Sequence, residues 1–366
     1  MSSSLRYIAD QLTPPPVKVI DDYLGAFKSQ VLYVVSKLDL PDHLVKGPKT
    51  IEELTVLTGV AKSDNILRLL RAAEGFGYFR ENVENHLWSN TVLSSVLRTD
   101  HPNSMAKVIR HWKEDSYDSW GNLLRAIKEE NAIVFEDLHN GTTLWKHYEE
   151  TPEIEEQFAA AMTGLNSINL YGQVHDYQWG QYSRVIDIGG SMGTFLFGVL
   201  EANPSLHGVL FDRPIVIEKA IEFWNSKKAS SMSTLHNRMT VEFLGGSFFD
   251  ATTLPTFKQN DVIIMRMILH DWTDDDCLRI LTAIREAVVR SGSPKVTLVL
   301  SELTPEVHDV IPSKFLIDLH MQVLFGAKER YRYEWDALFK KAGFEPVSDI
   351  IRTRSLYSLV ITKPVL

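Results

Sequence analysis

Cysteine is almost missing: Cys277 is the only one in 366 residues. No intramolecular disulfide can form and no cysteine-built zinc site is possible, so a soluble, reducing, cytoplasmic setting is the simplest expectation. Long apolar runs are missing too. None approaches the roughly 20 residues that cross a bilayer, and Met1-Ser2-Ser3-Ser4-Leu5-Arg6 carries no apolar signal core. A membrane partner is therefore not expected. Positive charge is in deficit: 38 Lys and Arg against 47 Asp and Glu leave a formal net charge of -9. That balance opposes a broad nucleic-acid surface. Several motifs are absent as well. There is no His-Glu-x-x-His, no Gly-x-Ser-x-Gly elbow and no glycine loop ending in Gly-Lys-Ser/Thr, so metalloprotease, serine-hydrolase and P-loop chemistry have no local support.

What is present is a chain 44% hydrophobic and 23% charged, long enough for two well-filled domains. Residues 1–100 read as a helical, winged-helix-like domain. After Pro14-Pro15-Pro16, an extended lead-in, Tyr23, Phe27, Val31, Val34 and Leu38 recur at three- and four-residue spacing. The spacing predicts a helix with a core stripe, ended by Pro41. Thr50 and Glu53 form a capping box for the next helix, which Gly59 can end. Ser63 or Asp64 caps a helix carrying Ile66, Leu67, Leu70 and Ala73, and a short hairpin follows around Phe79 and Trp88. Lys62, Arg68 and Arg71 are too scattered for a phosphate footprint. Packing or dimer contact is the expected use, not DNA binding.

Residues 101–180 read as a helical linker and substrate-pocket region, with Trp112, Trp120, Trp145 and Trp179 expected mostly in the core. From 181 to 366 strands alternate with helices: 184–188, 206–211, 241–244, 261–265 and 295–300. That alternation predicts a mostly parallel doubly wound α/β sheet. Segments 347–351 and 357–362 lie too close for a crossover helix, so an antiparallel edge pair is expected.

The strongest chemical signal is Asp187-Ile188-Gly189-Gly190-Ser191-Met192-Gly193, a strand running into a glycine turn. Glycine does not recur where a dinucleotide fingerprint needs it. Asp187 repels phosphate and attracts an amino group, so a nucleoside carrying an amino acid is the better fit. Asp212, ending the second strand, can accept both ribose hydroxyls. His270 follows the fourth strand, at the sheet edge where ligands gather. Its ordinary pKa of about 6.5 suits a base. Glu302 and Glu329 are candidate partners, since a carboxylate on one ring nitrogen leaves the other to take a proton. Asp274-Asp275-Asp276 suits a helix N-terminus better than a metal, and no metal is expected.

These stretches, together with Phe211-Asp212-Arg213-Pro214, Gly245-Gly246-Ser247-Phe248-Phe249 and Lys328-Glu329-Arg330 before Ala342-Gly343-Phe344, resemble the class I small-molecule O-methyltransferases of the caffeate, hydroxyindole and phenazine/polyketide type. The resemblance implies a dimerising winged-helix-like domain before a Rossmann-like domain, and a homodimer. It implies S-adenosylmethionine as methyl donor to a hydroxyl of a small, aromatic metabolite. It implies His270 as general base, with Glu302 and Glu329 orienting it. Asp187, Gly189, Gly190, Asp212, Arg213, Ser247, Phe248, Arg266 and Asn166 would bind the cofactor, and Met162, Asp271, Trp272 and Met321 the substrate. Two positions depart from the family pattern: Ser247 replaces an acidic residue, and Ser191-Met192 replace Gly-Thr in the first loop. Some relatives of this kind run pericyclic or decarboxylative steps instead. N- or S-methylation and a DNA-binding role are the remaining alternatives.

Overall fold

A computed structural model describes residues 9–130, 132–226, 240–307 and 312–366. The chain divides into two compact units. One holds residues up to Gly121 together with Trp145–Ile168; the other holds Asn122–Leu144 and Asn169–Leu366. The middle region expected at 101–180 is thus shared between them.

The first unit opens with helix α1 (Pro15–Lys37). Two of the three prolines begin it instead of leading in extended, because a first-turn N–H needs no helical partner. It ends before Pro41, at Leu38, and Asp39 turns into the left-handed region at φ 48°. Only part of its apolar stripe is core. Val35 is buried, and Val31 and Leu38 pack beside it, but Tyr23 is 63% and Phe27 55% exposed. The capping box of α2 (Ile51–Thr58) is formed in both directions, and Gly59 ends it with positive φ. Helix α3 (Ser63–Gly75) starts one residue early: Lys62 is its cap residue, and neither Ser63 nor Asp64 caps it. Strands β1 (Phe79–Asn82) and β2 (Leu87–Asn90) pair antiparallel, as the short hairpin expected there. Of the four tryptophans expected in the core, only Trp179, in the other unit, is fully buried; Trp112 is largely exposed.

The second unit is an α/β sheet of β3 (Arg184–Ile188), β4 (His207–Asp212), β5 (Val241–Gly245), β6 (Asp261–Arg266), β7 (Val296–Glu302), β8 (Phe344–Pro346), β9 (Ile351–Arg352) and β10 (Ser358–Pro364). Among the described residues the order is β5-β4-β3-β6-β7-β10-β8, with β9 also on β10. The first five are mutually parallel. Their central strands are buried on both faces, as parallel strands under two helix layers must be. Ile186 and Ile263 face one apolar cluster; Val185 and Ile264 face the other. β10 pairs antiparallel with β7, so the tail reaches inside the sheet. The expected strand at 347–351 is split into β8 and β9, while β10 continues past both.

Chain order reverses between β3 and β6, which creates a crevice at their carboxyl ends. Gly189 follows β3 and His270 follows β6, so the sheet places both beside that crevice. Among the described residues no helix is long and apolar enough to cross a membrane.

Candidate active site

The glycine loop after β3 is built for close approach. Gly189 has φ 75°, and a Cβ on Gly190 would lie 2.7 Å from the Asp187 carboxyl carbon. A side chain there would fill the space over Asp187. Asp187 is buried, and its Oδ2 has no hydrogen-bond partner among the described residues. Burial raises its pKa to about 7; Arg266 opposes the rise and Asp212 adds to it. Asp212 closes the loop from the next strand. Its Oδ2 accepts the Ser191 N–H at 2.8 Å and its Oδ1 accepts the Arg213 N–H at 2.7 Å.

Arg266 ends β6 and lies over the Phe195 ring, 4.5 Å from its centroid. Its Nη2 donates to Gln173 Oε1 at 2.6 Å, and Gln173 Nε2 donates to Ser301 Oγ at 2.8 Å. Gln173 is buried and occurs in no motif, so sequence reasoning had no handle on it. Ser247 follows β5. Its hydroxyl accepts the Phe249 N–H at 3.3 Å and so shapes its own turn. Phe248 and Trp272 meet edge to face, with centroids 5.9 Å apart, at the margin of the core.

His270 sits in a short turn, Leu269–Asp271, and is 5% exposed. Its Nδ1 contacts Glu329 Oε1 at 2.7 Å and lies 3.9 Å from Glu302 Oε2; its Nε2 lies 3.3 Å from Asp271 Oδ1. The two expected glutamates therefore converge on one ring nitrogen. Glu302 uses its Oε1 to accept the Ile268 and Leu269 N–H groups at 3.1 and 2.9 Å, holding the turn. Glu329 is fixed by its own N–H, which donates to Asp318 at 2.8 Å. Arg330 braces the other side. It donates to the Leu269 and Trp272 carbonyls and to Asp274 at 2.8–2.9 Å. Asp274 thus starts its helix and anchors Arg330.

Burial pulls the His270 pKa down, but Glu329, Asp271 and Glu302 outweigh it and raise it to about 10. Asp271 and Glu302 are each pushed to about 7 by burial, with His270 opposing. The imidazole and the two glutamates offer ligand atoms within 4.8 Å of one another, a set a divalent cation can use. Cys277 is buried and its thiol pKa is raised to about 12, so it is inert.

Met162 and Asn166 belong to the other compact unit. Met321 is buried on the helix Pro312–Phe325. Two open clefts of about 410 and 620 Å³ share Thr273, Gln322 and Gly326. Neither is lined by the glycine loop or by His270, so neither is taken as the substrate site.

This is a doubly wound α/β fold with a glycine loop and a carboxylate-contacted imidazole at its switch point. Family models agree with that class. One for an O-methyltransferase domain matches residues 120–345, and one for an O-methyltransferase dimerisation domain matches residues 22–100. A phenazine O-methyltransferase of Lysobacter antibioticus is 31% identical, covering 93% of this chain and 94% of its own. An 8-amino-8-demethylriboflavin N,N-dimethyltransferase of Streptomyces davaonensis is 33% identical, covering 87% of this chain and 86% of its own. The crystal structure of LaPhzM overlays with a TM-score of 0.83 at 31% identity, over 96% of this chain and 100% of that one. The chain belongs to the S-adenosylmethionine-dependent O-methyltransferase family, with a helical dimerisation domain before a Rossmann-like catalytic domain. It is an enzyme, and S-adenosylmethionine is its methyl donor.

Proposed function

We propose that this enzyme methylates a hydroxyl of a flat aromatic metabolite, with His270 as general base. The observation that carries the reading is the Glu329–His270 contact at 2.7 Å, which commits Nδ1 and leaves Nε2 to take the proton. S-adenosylmethionine, when bound, supplies an electrophilic methyl group. The residues present fit it. Asp187 offers a buried carboxylate to its ammonium group, Asp212 can accept its ribose hydroxyls, and Gly189 and Gly190 let it approach the backbone. Arg213, Ser247, Phe248 and Arg266 flank the same sheet end. Asp271 and Trp272 lie on the His270 turn and, with Met321, are assigned to the substrate.

An acceptor phenol with a pKa near 10 is a weak nucleophile until its proton leaves. His270 removes that proton, help worth about 10²–10⁴ in rate. In the free enzyme the carboxylates favour the protonated form of His270. A neighbouring cation lowers that pKa by repulsion, so occupancy of the cofactor site primes the base. No metal is needed in this scheme: Glu329 engages Nδ1 and two backbone N–H groups engage Glu302. Chelator treatment leaves the rate unchanged on this reading; loss of activity restored by a divalent cation overturns that part.

His270→Ala should cut methyl transfer at least about tenfold and spare cofactor affinity. Equal turnover by the variant sinks the base assignment. N-methylation is the second reading, favoured by the N,N-dimethyltransferase relative, and an amine needs less help from a base. Turnover that survives His270→Ala with amine acceptors but not phenols selects it. We further infer a homodimer in the cytoplasm, acting on a small molecule and not on nucleic acid. The exposed face of α1 supports the dimer, and the acidic balance supports the rest.

A further inference from the structure

Tyr357 stands immediately before β10, and β10 enters the sheet with Ser358 opposite Glu302 and Leu359 opposite Ser301. That register carries Tyr357 to the carboxyl end of β7, the end from which Glu302 serves the His270 turn. The backbone is pinned there: Thr353 and Ser355 hydroxyls donate to the Tyr357 carbonyl at 2.7 and 3.1 Å. The residue is 6% exposed. Its phenol proton is held tightly, first by burial and then by the charges on Glu329, Glu302 and Asp271, while Arg266 opposes them. The four charged groups that act on it are thus those of the reaction site. Among the described residues, its hydroxyl has no hydrogen-bond partner.

Donors and acceptors are unevenly matched around it. Ionised Glu302, Glu329 and Asp271 can only accept, and His270 Nδ1 is committed. The Tyr357 hydroxyl is the neutral donor of the group. A hydroxyl left free to donate lets a bound molecule with an acceptor atom there gain affinity. We propose that Tyr357 is a specificity-determining residue whose hydroxyl donates to an acceptor oxygen of the substrate, selecting hydroxylated aromatics that carry a carbonyl beside the hydroxyl to be methylated. The inference rests on the reading that substrate binds at His270, and it names the substrate class.

The test uses the full chain saturated with S-adenosylhomocysteine. Calorimetry compares alpha-hydroxyanthraquinone, which has a carbonyl beside its hydroxyl, with alpha-anthrol, which has the same ring frame without it. Wild type should bind the quinone more tightly, by about tenfold for one hydrogen bond. Tyr357→Phe should remove that preference while leaving S-adenosylhomocysteine affinity and thermal midpoint unchanged. A merely structural role would weaken both ligands together and lower the midpoint. No preference in wild type, including failure to bind either probe, overturns the proposal without needing any variant. So does a preference that survives Tyr357→Phe. Repeating the titrations in His270→Ala separates the two readings, because ligand preference there should persist whether or not His270 is the base.

Discussion

Burial lowers the His270 pKa, its carboxylate neighbours raise it by more, and a cation beside it lowers it again. That makes the pH profile informative. Glu329 raises the imidazole pKa, so Glu329→Gln should lower it and move the rising limb of the rate profile to lower pH, with a smaller plateau because the ring loses its orienting partner. A limb that stays in place rejects Glu329 as the orienting group. In wild type the limb in kcat should lie below that in kcat/KM, since the first reports the complex and the second the free enzyme. Asp187 is the corresponding handle on the cofactor. Its folded pKa of about 7 means that it attracts the ammonium group fully only above that pH. Cofactor affinity should therefore rise as pH increases through about 7, and Asp187→Asn should flatten that dependence and weaken binding, as calorimetry across pH would record. An unchanged slope in the variant excludes Asp187 as the ammonium partner.

At the scale of elements, the turn carrying His270 is held from two sides. Glu302 receives its N–H groups and Arg330 donates to its carbonyls. A planar fork with several donors does this; a lysine ammonium cannot reach all of them. Arg330→Lys should cost on the order of 2–3 kcal/mol in denaturant unfolding and lower kcat while leaving cofactor affinity in place. Wild-type stability in the variant counts against the brace. Much of this was readable in advance. The strand bounds 184–188 matched residue for residue, and Asp274-Asp275-Asp276 do open a helix, capped by Thr273, which accepts the Asp276 N–H. Those features depend on local alternation and capping. The antiparallel pairing of the tail strands was legible, but the pairing of β10 with β7 was not, because that contact is distant in sequence and silent in local pattern. Gln173 and Tyr357 were missed for the same reason.

Across the whole molecule, two quantities are exposed to test. Tyr23 and Phe27 look like core in sequence and lie exposed on α1, within or beside the dimerisation match. Burying such a stripe against a second copy is the simplest use of it. Phe27→Asp should shift the mass in light scattering from dimer toward monomer, and an unchanged mass removes α1 from the interface. Stability should also depend on pH with one sign. Asp187, Asp271 and Glu302 have folded pKa values raised to about 7, so their contribution is full below the ordinary carboxylate range and is lost as pH rises through 7. His270 follows, full below about 6.5 and lost through about 10. Cofactor-free protein should melt at lower temperature at about pH 9 than at about pH 6, and a flat profile contradicts this.

The chain alone determined the fold class, the glycine loop, the histidine after the fourth strand and its glutamate partners. Periodicity, glycine spacing and capping residues are local properties, and local properties are written in order along a sequence. Only tertiary structure decided which nitrogen of His270 the glutamates share, that Arg330 and Gln173 brace neighbouring residues, that Tyr357 stands at the carboxyl end of β7, and which apolar residues remain uncovered. Each of these depends on strand register and packing between distant segments, where the energy lies in partners that no short stretch of sequence contains.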